Sequence, residues 1–457
     1  VPSAGWNPFR VYLRVLRTPQ VPRLVVPMFI GRLPNGMFPL GVVFVLHRSS
    51  GSYSVSGAAL AALMLGTTCS APFRGRVVDR WGQSRTLIPF VLVQTAAMAG
   101  FLVAVSTEQG AWALLPPITL VGAASSTLGG SMRRLWPVLV RSDEDLPGAY
   151  AVQALLEDLI SVSGPLIASL VLTFASPVAV LVLAEIAALI GTTVFVLAGP
   201  SRSVGTCAAH APGALGALSV PGMRTLVLTL AAAGMVIGML YIEVPAFAAG
   251  TGSATAGLLL AVMAGGSMVG GLWYGARTWV SGVDRRYVWL SGAFATSVVP
   301  LALARTALHL GILLLFVGAA YAPRMISAYL MLDHLAPRDS PTEAYTWLVS
   351  AGAAGVASGS ALAGPLVQHI GVRRTFVVTA LCAGTGHIMA LTGRTTLTPP
   401  TDAHPRPCAR STPGGGDAPE RSGCGRCGGV GHSGAGTARR RSSPEWTCRS
   451  RSRRRGR

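Results

Sequence analysis

The chain has 457 residues, 51% of them hydrophobic and only 12% charged, with a mean hydropathy of +0.53 and a formal charge of +20. That is more apolar surface than a water-soluble core hides, and lipid is the solvent this composition fits. All 37 basic residues are arginine, which excludes a Walker A loop, a Schiff-base lysine and a pyridoxal site, and argues against ATP-driven transport by this chain alone.

The first 23 residues set Arg10, Arg14, Arg17 and Arg23 among Phe9, Val11, Tyr12, Val15 and Leu16, as suits an amphipathic helix lying on the cytoplasmic membrane surface. No small-residue cleavage site follows, so the next apolar stretch reads as an uncleaved first span. Spanning helices need roughly 20 apolar residues, and twelve stretches qualify: 24–46, 54–73, 87–106, 112–134, 148–174, 177–199, 223–247, 254–276, 287–305, 308–332, 343–367 and 373–393. They group into a six-helix half over 24–199 and another over 223–393. A linker at 200–222, marked by Arg202, His210, Pro212 and Pro221, separates them. With the N-terminus in the cytoplasm, inside segments before residue 394 hold 17 arginines and outside loops four, namely Arg48, Arg305, Arg373 and Arg374. This bias places both termini in the cytoplasm and the protein in the cell membrane.

From residue 394 the composition turns to Gly, Pro, Ser, Arg and Cys, with 14 of the 37 basic and 4 of the 17 acidic residues. Such a basic tail cannot bury a core and is expected to be disordered. It also has the composition of a GC-rich gene read in a shifted frame. Cys424 and Cys427, with Cys408, Cys448, His404 and His432, lack the paired spacing of a zinc site. Cys69, Cys207 and Cys382 are scattered through the apolar body and suggest no disulfide framework. No metal, cofactor or nucleic-acid partner is expected.

Residues 57–85 and 257–285 are two versions of one pattern, 200 positions apart without a gap: Gly57, Gly66, Gly75 and Arg85 fall on Gly257, Gly266, Gly275 and Arg285. Further echoes are Val121–Ala124 with Val317–Ala320, Ala149-Tyr150 with Ala344-Tyr345, and Gly164-Pro165 with Gly364-Pro365. A half-chain repeat in so apolar a protein predicts a transporter of two similar halves.

Between the second and third spans stands Gly75-Arg-Val-Val-Asp79-Arg80-Trp-Gly82-Gln-Ser-Arg85. Its glycines permit a tight turn and close helix approach, and Asp79 with the arginines can make charge-assisted bonds. In that position of a twelve-span repeated chain it resembles the signature loop of the major facilitator superfamily, over about residues 10–395. The resemblance implies an all-helical membrane fold of two pseudo-symmetric six-helix halves, monomeric, working by alternating access. Gly75, Asp79, Arg80, Gly82 and Arg85 would be the cytoplasmic gating motif that latches the halves when the cavity faces outward. The second copy has Trp279 where Asp79 falls, so a second latch is degenerate. Gly164-Pro165 matches the centre of the family's fifth-span antiporter motif and is a helix-packing motif, although Ile160 and Ala168-Ser169 replace its other glycines. The family's fourth-span arginine is missing from the first half of that span; Arg133 and Arg134 lie only at its end. From Arg134-Leu-Trp-Pro137 to Gly164-Pro165 the chain also looks like a group of actinobacterial members.

A carboxylate in a span is costly and marks an ion path or a buried pair. Glu157 and Asp158 in the fifth span are the proton-coupling candidates, with a static pair between Glu157 and Arg32 as the competing reading. Arg32, beside Pro34 and Gly36, pairs with one of these carboxylates or receives an anionic group. Glu185 reads as a satisfied interhelical group. Glu243, near Pro245 in the seventh span, is a cavity candidate because that span lines the cavity in the family. No nucleophile–base set stands out, so the chain is not read as an enzyme. Proton-coupled export (efflux by antiport) of a small, fairly apolar compound is the leading expectation. Metabolite uptake is the alternative, and a non-transporting sensor or inactive gene product the reading of another class.

Overall fold

A computed structural model describes Thr18 and residues 20–107, 110–125, 127–140, 146–198, 217–250, 252–277, 279, 281–335 and 341–397, all within one compact unit. The amphipathic segment before Thr18, most of the linker and the tail beyond Leu397 lie outside them. The described residues are almost entirely helical and form twelve successive antiparallel segments. In the first half these are Val21–Ser50, Tyr53–Trp81, Gln83–Ser106, Ala111–Leu139, Leu146–Phe174 and Pro177–Leu197. In the second they are Pro221–Ala248, Ser253–Gly275, Val283–Leu303, Ala307–Leu335, Pro341–Ile370 and Val372–Thr392. They are called span one to span twelve below. Eleven are long and apolar enough to cross a membrane. The remaining one, span nine, begins Val-Asp-Arg-Arg and is an α-helix only to Val298, continued by a 3-10 turn to Leu303.

Two spans are not single straight helices. Span one passes through Leu33 without leaving helical dihedrals (φ −49°, ψ −37°), although Pro34 withdraws one donor there. Span four breaks: its first helix ends at Ala124, Ser125 turns extended, and a second helix runs Leu128–Leu139. Reading 112–134 as one continuous apolar span misses this. The Ser-Ser-Thr sequence at 125–127 has weaker helix propensity than the apolar residues before it, which suits a break there.

The signature region differs from the expected loop. Span two stays helical through Trp81 and span three begins at Gln83, so Gly82 alone makes the turn, at φ +83°. A left-handed φ there is why glycine is needed. Gly75 lies mid-helix with no atom within 4 Å of where a Cβ would stand, so it serves no close approach. The bundle end that carries Gly82 is called the motif end, and the other, with the left-handed turns at Gly51, Gly252 and Gly371, the Gly51 end.

Packing repeats as the sequence does. Span two lies on span four as span eight lies on span ten, and span one on span six as span seven on span twelve. The two halves join through spans two and eleven on one side and through spans five and eight on the other. Except for Gly75 and Gly275, the repeated glycines are contact points. A side chain on Gly66 would run into the Thr119 carbonyl and one on Gly122 into that of Leu63. In the second half Gly266 abuts the Leu315 carbonyl and Gly318 that of Met263. Backbones this close are the small-residue packing that holds helices together without a hydrophobic drive in lipid.

Candidate functional site

Where the halves meet, spans one, five, seven, eight and ten enclose a cavity of about 360 Å³. Its polar wall comes from the first half, with Arg32, Asn35, Glu157, Asp158 and Ser161. The second half gives a largely apolar and phenolic wall that includes Tyr241, Met263 and Tyr321, with Ser267 as its hydroxyl. The volume is in the range of small-molecule sites.

Arg32 and Glu157 come together: Nη1 donates to Oε1 at 2.9 Å, with side chains 21% and 46% exposed. Four residues before Glu157, Gln153 donates Nε2 to the same oxygen at 3.3 Å and to the Gly129 carbonyl at 3.2 Å. Trp136 Nε1 in turn donates to Gln153 Oε1 at 2.8 Å. This chain of bonds ties spans one, four and five, and Gln153 and Trp136 were not singled out in the sequence. Asp158, half-buried on the next helical position, also lines the cavity, and no hydrogen bond or ion pair engages it among the described residues. Gly164 seats span five on span one: a Cβ on Gly164 would lie 2.6 Å from Gly36 Cα, and one on Gly36 3.2 Å from the Pro165 ring.

The other two acidic candidates are placed outside the cavity. Glu185 accepts from Gln94 Nε2 at 3.1 and 3.2 Å and from Thr95 Oγ1 at 3.2 Å, between spans three and six. Glu243 is fully buried between spans seven and twelve, its Oε1 bonded by Thr379 Oγ1. The expectation of a cavity-lining Glu243 is therefore corrected: on span seven Ile237 and Tyr241 face the cavity, and Glu243 faces span twelve.

Two buried arginines play parts that the sequence did not suggest. Arg74, at 3% exposure, reaches across from span two to the break in span four. It donates to the Ser125 carbonyl and hydroxyl, to the Gly122 carbonyl and to its own helix at Thr67 O. Carbonyls freed by the break are thereby satisfied. Arg324 in span ten donates to the Thr229 carbonyl at 2.6 Å and Tyr287 Oη at 3.2 Å, under the Tyr287 and Phe294 rings.

The two bundle ends differ. At the Gly51 end Gln368 Oε1 of span eleven accepts from Ser52 Oγ at 2.9 Å, Ser54 Oγ at 2.8 Å and Ser54 N at 3.3 Å. Gly57 packs against Ser360 and Gly364, and Gly257 against Pro165 and Ser169. At the motif end the described link between halves is Arg133 beside Tyr345, with an Nη1 to Oη distance of 3.5 Å and the cation over the ring at 5.6 Å. Of the signature residues, Arg80 is exposed at the end of span two, Arg85 is exposed on the first turn of span three, and the side chain of Asp79 is outside the described set. Trp279, at the matching place of the second copy, stacks on Tyr274 at 4.9 Å and donates to its carbonyl. Arg277 and Arg286 flank the rings.

No family model and no curated protein sequence matches the chain. Solved structures do. A nucleoside transporter, NupG, aligns at a TM-score of 0.67 with 12% identity over 82% of this chain and 98% of its own. A bacterial homologue of the iron transporter ferroportin, inward-facing, aligns at 0.64 with 14% identity over 85% and 100%. A bacterial homologue of the lysosomal transporter Spinster, inward-facing and unoccupied, aligns at 0.62 with 12% identity over 85% and 98%. The chain has the major-facilitator fold. Each alignment covers more than four fifths of the chain and so takes in both halves.

The Gln368 contact yields a test. The three bonds are solvent-exposed, so each is worth about 0.5 kcal/mol, the low end for a hydrogen bond, and Gln368→Ala is expected to open the Gly51 end about tenfold more often. A single cysteine replacing Ser161, in an otherwise cysteine-free chain, should then be labelled from that face correspondingly faster by an impermeant maleimide. An unchanged rate means that this contact does not hold the end shut.

Proposed function

We propose that the protein is a secondary transporter that exports a small, largely apolar compound in exchange for protons. The observation that carries this is the cavity between the halves, where an ion pair and an unengaged carboxylate face an apolar and phenolic wall. The major-facilitator fold supports movement of the halves about that cavity, as do transporter neighbours of the same fold. In this reading the motif end is cytoplasmic and the structure is inward-facing. Support comes from the arginine bias of the sequence and the close packing at the Gly51 end. The ferroportin homologue also fits better in its inward-facing than in its outward-facing state, at TM-scores of 0.64 and 0.56.

Arg32 already occupies Glu157, which leaves Asp158 as the group that takes up and releases a proton as the cavity alternates. Glu157, held by Arg32 and Gln153, ties spans one, four and five so that they move together. Few polar groups other than these line the site, which favours an apolar cargo over a sugar. The test is accumulation of a panel of lipophilic dyes and antibiotics in efflux-deficient bacteria expressing the full chain. Lower accumulation that a protonophore restores is expected for at least one compound. Export unaffected by protonophore contradicts proton coupling.

A further inference from the structure

A second pocket, of about 370 Å³, lies at the motif end between the start of span nine and the end of span twelve and shares no lining residue with the cavity. Asp284, Arg285, Val288 and Trp289 line it from span nine, and Leu391 and Arg394 from the end of span twelve and the turn after it. Both helices carry the same arrangement. Arginine stands at the bundle end with an apolar residue one turn deeper: Arg285 above Trp289, which is 77% exposed, and Arg394 above Leu391, which is 41% exposed. Neighbouring Arg286 is used, since it lies over the Tyr274 and Trp279 rings at 5.8 and 5.7 Å. Arg285 and Arg394 are exposed, with no hydrogen bond, ion pair or ring contact among the described residues. Asp284, the acidic member, is turned back to the helix start, its Oδ1 2.5 Å from where a Cβ on Gly282 would be. Span nine, moreover, points its N-terminus here, a further source of positive potential.

We propose that this pocket binds the headgroup of an anionic phospholipid from the surrounding leaflet. Two guanidiniums from different helices suit a phosphodiester, which they can engage with paired N–H donors. Trp289 has the amphipathic ring that settles at headgroup depth, and Val288 and Leu391 continue the groove toward the acyl chains. Charge complementarity and the arginine-over-apolar order on both helices select a lipid over a soluble anion, which has no use for the lower wall. The site rests on the membrane location alone and stands whether or not the transport reading does.

Native mass spectrometry of the full chain in detergent tests it, with phosphatidylglycerol and phosphatidylcholine of identical acyl chains in competition. Several-fold preferential retention of phosphatidylglycerol is expected. Arg285→Gln/Arg394→Gln should lose it, while Arg373→Gln/Arg374→Gln, with the same charge change at the opposite end of span twelve, should keep it. A thermal melt of both variants confirms that they are folded. Equal retention of the two lipids, or a preference that survives the first double variant, overturns the proposal. So does displacement of the lipid by millimolar inorganic phosphate, which would make the pocket a plain anion site.

Discussion

Asp158→Asn is expected to abolish the proposed proton-coupled flux and to leave the bundle folded. Asp158 lines the cavity with no hydrogen bond or ion pair among the described residues, so the isosteric amide removes a titrating group and none of the described bonds. Drug accumulation in cells expressing the variant should equal that in cells without the protein, with or without protonophore, while its membrane level stays that of the wild type. Glu157→Gln acts differently. It removes the charge that Arg32 pairs with at 2.9 Å and keeps an oxygen for Gln153 to bond. Arg32 is then an unpaired cation in the cavity, and flux should fall while remaining sensitive to protonophore. If Asp158→Asn transports as the wild type does and Glu157→Gln is dead, the proton carrier is Glu157.

Gly318→Val is expected to destroy the fold. Its side chain would have to enter the backbone of span eight at the Met263 carbonyl, where no rotamer change makes room. Overpacking in a core that can adjust costs about 1–3 kcal/mol, and a backbone clash between two spans exceeds the upper end. Loss of the monodisperse protein peak on size exclusion is the readout. Gly275→Ala is the control, with nothing within 4 Å of the new methyl, and helix propensity makes it neutral or mildly stabilising. Equal yields for the two variants contradict the view that the glycines echoed at Gly122 and Gly318 are helix contact points.

What could be read in the sequence follows from where its signals come from. Hydropathy is local, so the twelve spans and their order were legible, including a ninth span whose α-helix is only 16 residues long. The repeat was legible because its glycines answer one steric demand twice, at Gly66 and Gly266. Arg32 with Glu157 was within reach because charges in a span need partners. Interhelical bonds between distant residues leave no such trace. Arg74 stands next to the signature and looks like one more cytoplasmic arginine, yet it closes the span-four break 51 residues away. Gln368 meets Ser54 across 314 positions. Glu243 misled for a rotational reason: two residues beyond Tyr241, a helix has turned by about 200°, away from the cavity and toward Thr379.

The most direct test is proton movement in vesicles that contain the purified full chain and a pH-sensitive dye inside. A compound found active in cells, added under an imposed substrate gradient, should drive a proton flux of opposite direction, abolished by Asp158→Asn. Compound movement with no accompanying proton flux, or undiminished flux in the variant, would contradict exchange through this cavity.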